Sequence, residues 1–404
     1  MSDPIRARVS GPLLPYVAGF RDELAGQGYR PGSVTGHLQL LAHVSRWMSS
    51  QGLEPADLTP VEVERSASER RSQGYEQRRS SRALQPLLGY LRGLGVVPVA
   101  SREVPAPLAR LVGRYERYLV DARGLAPSTT ARYVSVARAF LAGKAGQGDE
   151  LCLEDLDARY AIELVGREAR RLAPGSAKDL VTSLRSFLRF LHAAGTAPAG
   201  LADALPTVAV WGGGSLPRAL RPEQVEALLG SCDQGSVAGR RDFAVLKVLA
   251  RLGLRAGEVA GMLLEDFDWR LGELVVRGKG HRVDRMPVPV DVGEAVTGYL
   301  RGGRPPVECR AVFLRVCAPI VGLSPMGVSN LVMRACERAG LAACGAHRLR
   351  HSVATSTLRA GGSLGEVGQL LRHRSGPATT ATYAKVDWST LRSVAQPWPT
   401  GGAA

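Results

Sequence analysis

Apolar positions fall at helical spacing twice over in the first half of the chain, and the two runs match. In the first, Phe20 and Leu24 share one helical face. Gly28 and then Tyr29-Arg30-Pro31-Gly32-Ser33-Val34-Thr35 stop that helix and start the next. In the second, Tyr115 and Leu119 take the first role, and Gly124 with Leu125-Ala126-Pro127-Ser128-Thr129-Thr130 takes the second. The ends agree more closely: Leu88, Tyr90, Leu91, Gly95 and Pro98 are matched by Leu188, Phe190, Leu191, Gly195 and Pro198. A period of about 96–100 residues is too long for a solenoid unit. It predicts two small helical domains, at 12–98 and 106–198, each ending its last helix on a glycine.

The pattern then changes. Residues 199–221 read as a linker, clearest from Pro206 to Arg221, where Gly212-Gly213-Gly214 and two prolines interrupt any periodicity. A third domain, 222–395, mixes periods. Asp242 to Leu252 is helical, with Phe243, Leu246, Leu249 and Leu252 on one side. Leu271 to Arg277 and His281 to Val290 are β-prone and joined by Gly278-Lys279-Gly280, a hairpin signal. Met326 to Ala339, Arg348 to Ala360 and Leu364 to Arg372 return to helical spacing. The last stretch, Ser389 to Ala404, begins with a helical turn and frays into proline and glycine.

Charge narrows the partner. The chain carries +15 at pH 7, and residues 211–404 hold 25 basic against 16 acidic side chains, so most of the excess lies in the third domain. Such a surface favours a polyanion, DNA or RNA, or an anionic membrane face. Arginine outnumbers lysine 47 to 5, so each lysine present is more notable than usual. No stretch approaches 18 consecutive apolar residues, and the charged N-terminus lacks a signal-peptide core, so no membrane span is expected. The cysteines Cys152, Cys232, Cys309, Cys317, Cys336 and Cys344 form no C-x-x-C pair and read as reduced thiols.

Four places in the third domain can carry chemistry. Arg255, in Gly253-Leu254-Arg255-Ala256-Gly257-Glu258, stands at a helix break that can aim a guanidinium into a cleft; a surface helix-end arginine is the plain alternative. Lys279 stands between two glycines at the hairpin tip, where an amine can reach inward or simply be solvated. His347, Arg350 and His351 share one helical face, suited to phosphate oxygens, while Arg348 points elsewhere. His347 and His351 also have metal-binding spacing, but a zinc protease needs glutamate where Arg348 stands, and Arg350 would repel a cation. Last come His373 and Tyr383, the latter in the small, polar Thr379-Thr380-Ala381-Thr382 context that is a poor place to bury a ring; packing of the terminal helices is its alternative role.

Taken in order, Arg255, Lys279, His347, Arg350, His373 and Tyr383 give the chain a clear likeness: it resembles the tyrosine recombinase (phage integrase) family. The resemblance covers residues 220–391 and extends to a core-binding domain at 106–198. Its most specific part is His347-x-Leu349-Arg350-His351 with Ser352 to Thr355 behind it, followed by Thr379-Thr380-x-x-Tyr383-Ala384-Lys385-Val386. The fold it implies is mainly α with a small β-sheet: two SAM-like helical DNA-binding domains followed by a mixed α/β catalytic domain. The reaction it implies is site-specific cleavage and rejoining of DNA through a 3′-phosphotyrosine on Tyr383. Arg255 and Arg350 would then donate to the nonbridging oxygens, and His373 would add a donor. His347 would act as base, and Lys279 as the acid that protonates the departing 5′ oxygen. The resemblance further implies double-stranded DNA and a homotetramer on it, the 106–198 domain closing over the opposite face of the duplex. Accessory DNA-bending proteins or a partner recombinase are possible additions. No cofactor, metal, ATP or membrane is implied, and the place of action is the bacterial cytoplasm, with the nucleoid when on DNA. No Gly-x4-Gly-Lys-[Ser/Thr] loop is present, since Gly280 follows Lys279.

The chain departs from the family pattern in three respects. His373 and Tyr383 are ten positions apart where the family usually has nine, so Gly376-Pro377 looks like a one-residue insertion. Arg372 replaces the glycine often found before this histidine. The 12–98 domain lies outside the minimal plan and would lengthen the DNA grip or contact a partner subunit. Two other functions compete. A metal-dependent nuclease or transposase would use Glu265, Asp266 and Asp268 for Mg²⁺, which otherwise read as a solvated loop. A silent DNA-binding protein of the same fold would never form a covalent adduct. A relaxing topoisomerase would share the chemistry but act as a monomer.

Overall fold

The computed structural model describes residues 9–98, 106–145, 156–207, 219–278 and 282–372. The chain divides into two compact units, Met1–Val97 with Ser215–Ala404, and Pro98–Gly214. Three large hydrophobic cores and a fourth, smaller cluster lie within them.

The first core is built by α1 (Val17–Gly26), α2 (Pro31–Gln51), α3 (Pro60–Ser72) and α4 (Gln85–Gly93). The second is built by α5 (Ala106–Arg117), which continues as a π-turn over Tyr118–Ala122, with α6 (Pro127–Ala145), α7 (Ala158–Ala169) and α8 (Pro174–Ala193). Residues matched in the sequence take matching places. Phe20 and Leu24 are buried in the first core, Tyr115 and Leu119 in the second. Gly95 and Gly195 both adopt left-handed backbone, with φ of 71° and 70°. In each case the next residue closes the helix end on the matching leucine, Val96 N–H to Leu91 O and Thr196 N–H to Leu191 O, both 3.0 Å. The second core runs beyond its expected end. Leu201, Ala202 and Leu205, read above as linker, are buried in it. Arg185 draws them there, donating to the carbonyls of Ala202 and Leu205 at 3.0 and 2.9 Å.

The third core is formed by α9 (Pro222–Gly230), α10 (Val237–Leu252), the short α11 (Ala256–Ala260), strands β1 (Phe267–Asp268), β2 (Glu273–Arg277) and β3 (Val283–Pro287), then α12 (Val290–Gly302), α13 (Pro325–Arg338) and the start of α14 (Ala346–Arg359); Val353, Ala354 and Leu358 of α14 form the smaller cluster with Val367 of α15 (Leu364–Leu370) and Leu371. The sheet is antiparallel in the order β1-β2-β3, with Leu274 opposite Met286 and Arg277 opposite Val283. Leu274 and Val276 point into the core and the alternate residues outward, as a half-buried strand requires. β1 is a two-residue strand that the hydrophobic pattern does not announce. Tyr299 is fully buried, as its amphipathic setting suggests, and its hydroxyl accepts the Leu314 N–H at 3.2 Å. Cys232, Cys309, Cys317, Cys336 and Cys344 are free thiols. Among the described residues no helix is long and apolar enough to cross a membrane.

Candidate active site

Arg255, His347 and Arg350 fall within the described residues; Lys279, His373 and Tyr383 lie outside them. The three that are described are brought together by one crossing of helices.

α10 stops at Gly253, whose backbone is left-handed at φ 59°. A side chain there would place its Cβ 2.9 Å from Leu371 Cδ2 and 3.4 Å from Val353 Cγ1, so only glycine allows this approach. Two residues later Arg255 is extended (φ −77°, ψ 151°) and serves as the N-cap of α11. Glu258, one turn on, receives both ends of Arg255. Its Oε2 accepts the backbone N–H and its Oε1 accepts Nη1, each at 2.8 Å. The guanidinium is thus held while the side chain stays 44% exposed.

His347, Arg350 and His351 lie on α14 as the spacing predicts. The two imidazoles meet edge to face, with centroids 4.3 Å apart. Arg350 differs from expectation. It is only 1% exposed, and two of its N–H groups are engaged by backbone carbonyls: Nη1 donates to Gly253 O at 2.6 Å, and Nη2 to Leu371 O. It therefore ties α14 to the end of α10 and to the chain leaving α15, besides placing a positive charge at the site. Desolvation first, then the charges of Arg350 and Arg255, lower the pKa of His347 below its ordinary 6.5. Burial and both arginines thus favour the neutral form of this imidazole, the form able to accept a proton.

Two further groups in this region were not singled out from sequence. Glu258 is 8% exposed and, besides Arg255, receives Arg372 Nη2 at 2.8 Å. Burial works to raise the Glu258 pKa, but the Arg255 backbone N–H and the neighbouring guanidinium charges prevail and hold it low. The Arg-x-x-Glu spacing of a reciprocal helix cap was the available signal for Glu258. Arg372 has φ 53°, the left-handed region where glycine is at ease, which is the physical sense of the glycine expected there.

Strands β2 and β3 come together beside this pair. Gly278 N–H closes on Arg282 O at 2.7 Å, and a Cβ at Gly278 would come within 4.0 Å of Glu258 Oε1. The acidic cluster is otherwise employed. Asp266 pairs with Arg277 and accepts the Leu263 N–H, Glu265 pairs with Arg310 at 3.2 Å, and Asp268 accepts the N–H groups of Arg270 and Leu271. Among the described residues no group of three or more His, Cys, Asp or Glu is arranged to hold a metal ion.

The family model described as the phage integrase family matches residues 218–389. "Putative integrase/recombinase y4rA" of Sinorhizobium fredii is 38% identical over 394 residues, spanning 96% of this chain and 95% of that protein. Tyrosine recombinase XerC of Yersinia pestis is 30% identical over 72% of this chain and 95% of its own length. The chain belongs to the phage integrase family. As a tyrosine recombinase it acts in site-specific DNA recombination, and the metal-dependent and silent alternatives are not favoured.

Solved structures agree on the fold. A lambda integrase fragment, crystallised as a dimer bound to a COC′ core site, superposes with a TM-score of 0.53 at 18% identity over 72% of this chain and 99% of that one. XerH recombinase bound to a palindromic difH substrate gives 0.53 at 17% identity over 97% of this chain and 98% of that one. The helical domains and the small sheet beside α10, α13 and α14 are thus a tyrosine recombinase architecture.

Proposed function

We propose that Tyr383 is the nucleophile, and that Arg255, Lys279, His347, Arg350 and His373 complete the site. The phenolic oxygen attacks the scissile phosphorus, a P–O bond to tyrosine forms, and the P–O5′ bond breaks. The phenol proton passes to His347, and the departing 5′ oxygen takes its proton from Lys279. Attack by a 5′ hydroxyl on the phosphotyrosine reverses these steps and rejoins the strand, so the bond energy is conserved and ATP is not needed. Negative charge gathers on the phosphoryl oxygens in the transition state, and fixed guanidinium groups stabilise it without a metal. An unperturbed tyrosine, with a pKa of about 10, is barely ionised at neutral pH, so a neutral imidazole and a cationic field are what the nucleophile needs.

The observation that carries this reading is the convergence of Arg255, His347 and Arg350: burial first, then the charge of Arg350 on the same helix and of Arg255 at the start of α11, lower the His347 pKa, while Arg350 donates to Gly253 O at the end of α10. The working partner is double-stranded DNA, bound by a homotetramer in the cytoplasm, with accessory proteins where a given site requires them. The helical domains at 12–98 and 106–198 add phosphate contacts, the linker following at 199–221 and the catalytic domain occupying 222–395. The test uses a randomised library of nicked duplexes, whose short 5′ fragment diffuses away after cleavage and leaves the covalent adduct trapped. Wild-type protein should retain DNA through SDS, and Tyr383→Phe should not. Equal retention by both would remove Tyr383 from the role.

A further inference from the structure

Arg372 is one of the more constrained side chains near the site. It is 8% exposed, and its backbone is left-handed without being glycine. Its Nη2 reaches Glu258 Oε2 at 2.8 Å, its Nε lies 4.0 Å from Asp284 Oδ2, and its Nη1 lies 3.4 Å from Met286 Sδ. One guanidinium therefore touches α11 and strand β3 while standing directly after α15 and directly before His373. Its carboxylate partner is shared: Glu258 holds Arg372 with one oxygen and Arg255 with the other.

We propose that Arg372 is a positioning residue, which sets Arg255 through their common Glu258 and anchors the chain as it leaves α15 for the His373–Tyr383 segment. The proposal rests on the recombinase reading above. The single negative charge of the buried Glu258 is divided between two guanidinium groups. Remove Arg372, and the whole of Glu258's charge acts on Arg255, drawing it toward the carboxylate and away from a phosphate oxygen. The chain before His373 loses its tie to the hairpin base at the same time. The left-handed backbone sharpens the point, because a backbone costly for arginine is retained only where the side chain's contacts hold it.

That geometry permits a test in which backbone fit and side-chain charge make opposite predictions. Arg372→Gly suits the backbone better but deletes the charge, while Arg372→Lys keeps the charge on a shorter reach. Cleavage is measured in single turnover on a nicked duplex that wild-type protein traps, with DNA Kd and thermal unfolding measured in parallel. Arg372→Gly should cleave on the order of 10- to 100-fold more slowly with Kd changed by less than about 3-fold, and Arg372→Lys should recover part of the rate. Adding Glu258→Gln to Arg372→Gly should speed cleavage again, since the neutral amide no longer competes for Arg255. Arg372→Gly cleaving at the wild-type rate or faster would overturn the proposal. So would a loss confined to Kd, or a double variant slower than Arg372→Gly. Failure of wild type to form any adduct would instead overturn the recombinase assignment of Tyr383, so the two failures are distinguishable.

Discussion

Arg255 and Arg350 look interchangeable in sequence, each a guanidinium able to grip a phosphate, yet they are built differently. Arg255 is half exposed and leans on Glu258, whereas Arg350 is buried and bonded to the carbonyls of Gly253 and Leu371. Their alanine variants should therefore separate in urea melts. Arg350→Ala removes two charge-assisted hydrogen bonds and leaves two buried carbonyls without them, at about 3 kcal/mol of stability. Arg255→Ala should cost less than that, because its guanidinium is half exposed and the buried Glu258 keeps Arg372 and the backbone N–H of residue 255, while slowing cleavage by on the order of 10²–10³. Equal stability losses would contradict the difference in burial. His347 adds a pH prediction. Its pKa is lowered, so the fraction of neutral base rises with pH and is already high below 6.5. The acid limb of kcat/KM, which reports the unbound protein, should have its midpoint below 6.5 and vanish in His347→Ala. A midpoint above 6.5 would mean that burial and the two arginines do not govern the imidazole. The types and order of these residues could be read from the chain, because their spacing is local. Burial of Arg350 and the sharing of Glu258 could not, because they depend on the meeting of α10, α11, α14 and the end of α15.

Elements explain why the site exists at this point of the chain. The Gly-flanked break before Arg255 was legible as a break, but its cause is packing. Gly253 lets α10 end against Val353 and Leu371, and its carbonyl then faces Arg350. Gly253→Ala adds a left-handed alanine at about 1–2 kcal/mol and crowding against Leu371 at about 1–3 kcal/mol. A loss of roughly 2–5 kcal/mol in equilibrium unfolding is expected, and a neutral substitution would show that the approach is looser than the 2.9 Å contact implies. The hairpin strands and the α14 face follow from period-2 and i, i+3, i+4 patterns. β1 was missed because two residues carry no period, and the end of the second core was set too early because Ala202 and Leu205 are held through their carbonyls by Arg185 of α8.

At the scale of the molecule, the leucines and glycines matched in the sequence close equivalent helix ends, at Gly95 and Gly195. The grouping of units was not readable. Residues 1–97 fall in one compact unit with 215–404, where Ile320 N–H donates to Gln27 O at 2.9 Å, a contact between segments nearly 300 positions apart. With +15 overall, binding to DNA should be dominated by phosphate neutralisation and weaken steeply with salt. Arg79 and Arg82, exposed in the first domain, test whether that domain takes part. Replacing both with alanine should reduce the slope of log K against log salt by about 2. An unchanged slope would assign the domain to protein contacts instead.

The central claim, a covalent bond between one tyrosine and DNA, is tested most directly by locating that bond. Adduct trapped on a nicked duplex is digested with protease and nuclease, and the nucleotide-bearing peptide is sequenced by mass spectrometry. The account predicts a 3′-phosphate ester on Tyr383 and a free 5′ hydroxyl on the released strand. Attachment to another residue, or cleavage that leaves no attached nucleotide, would contradict it.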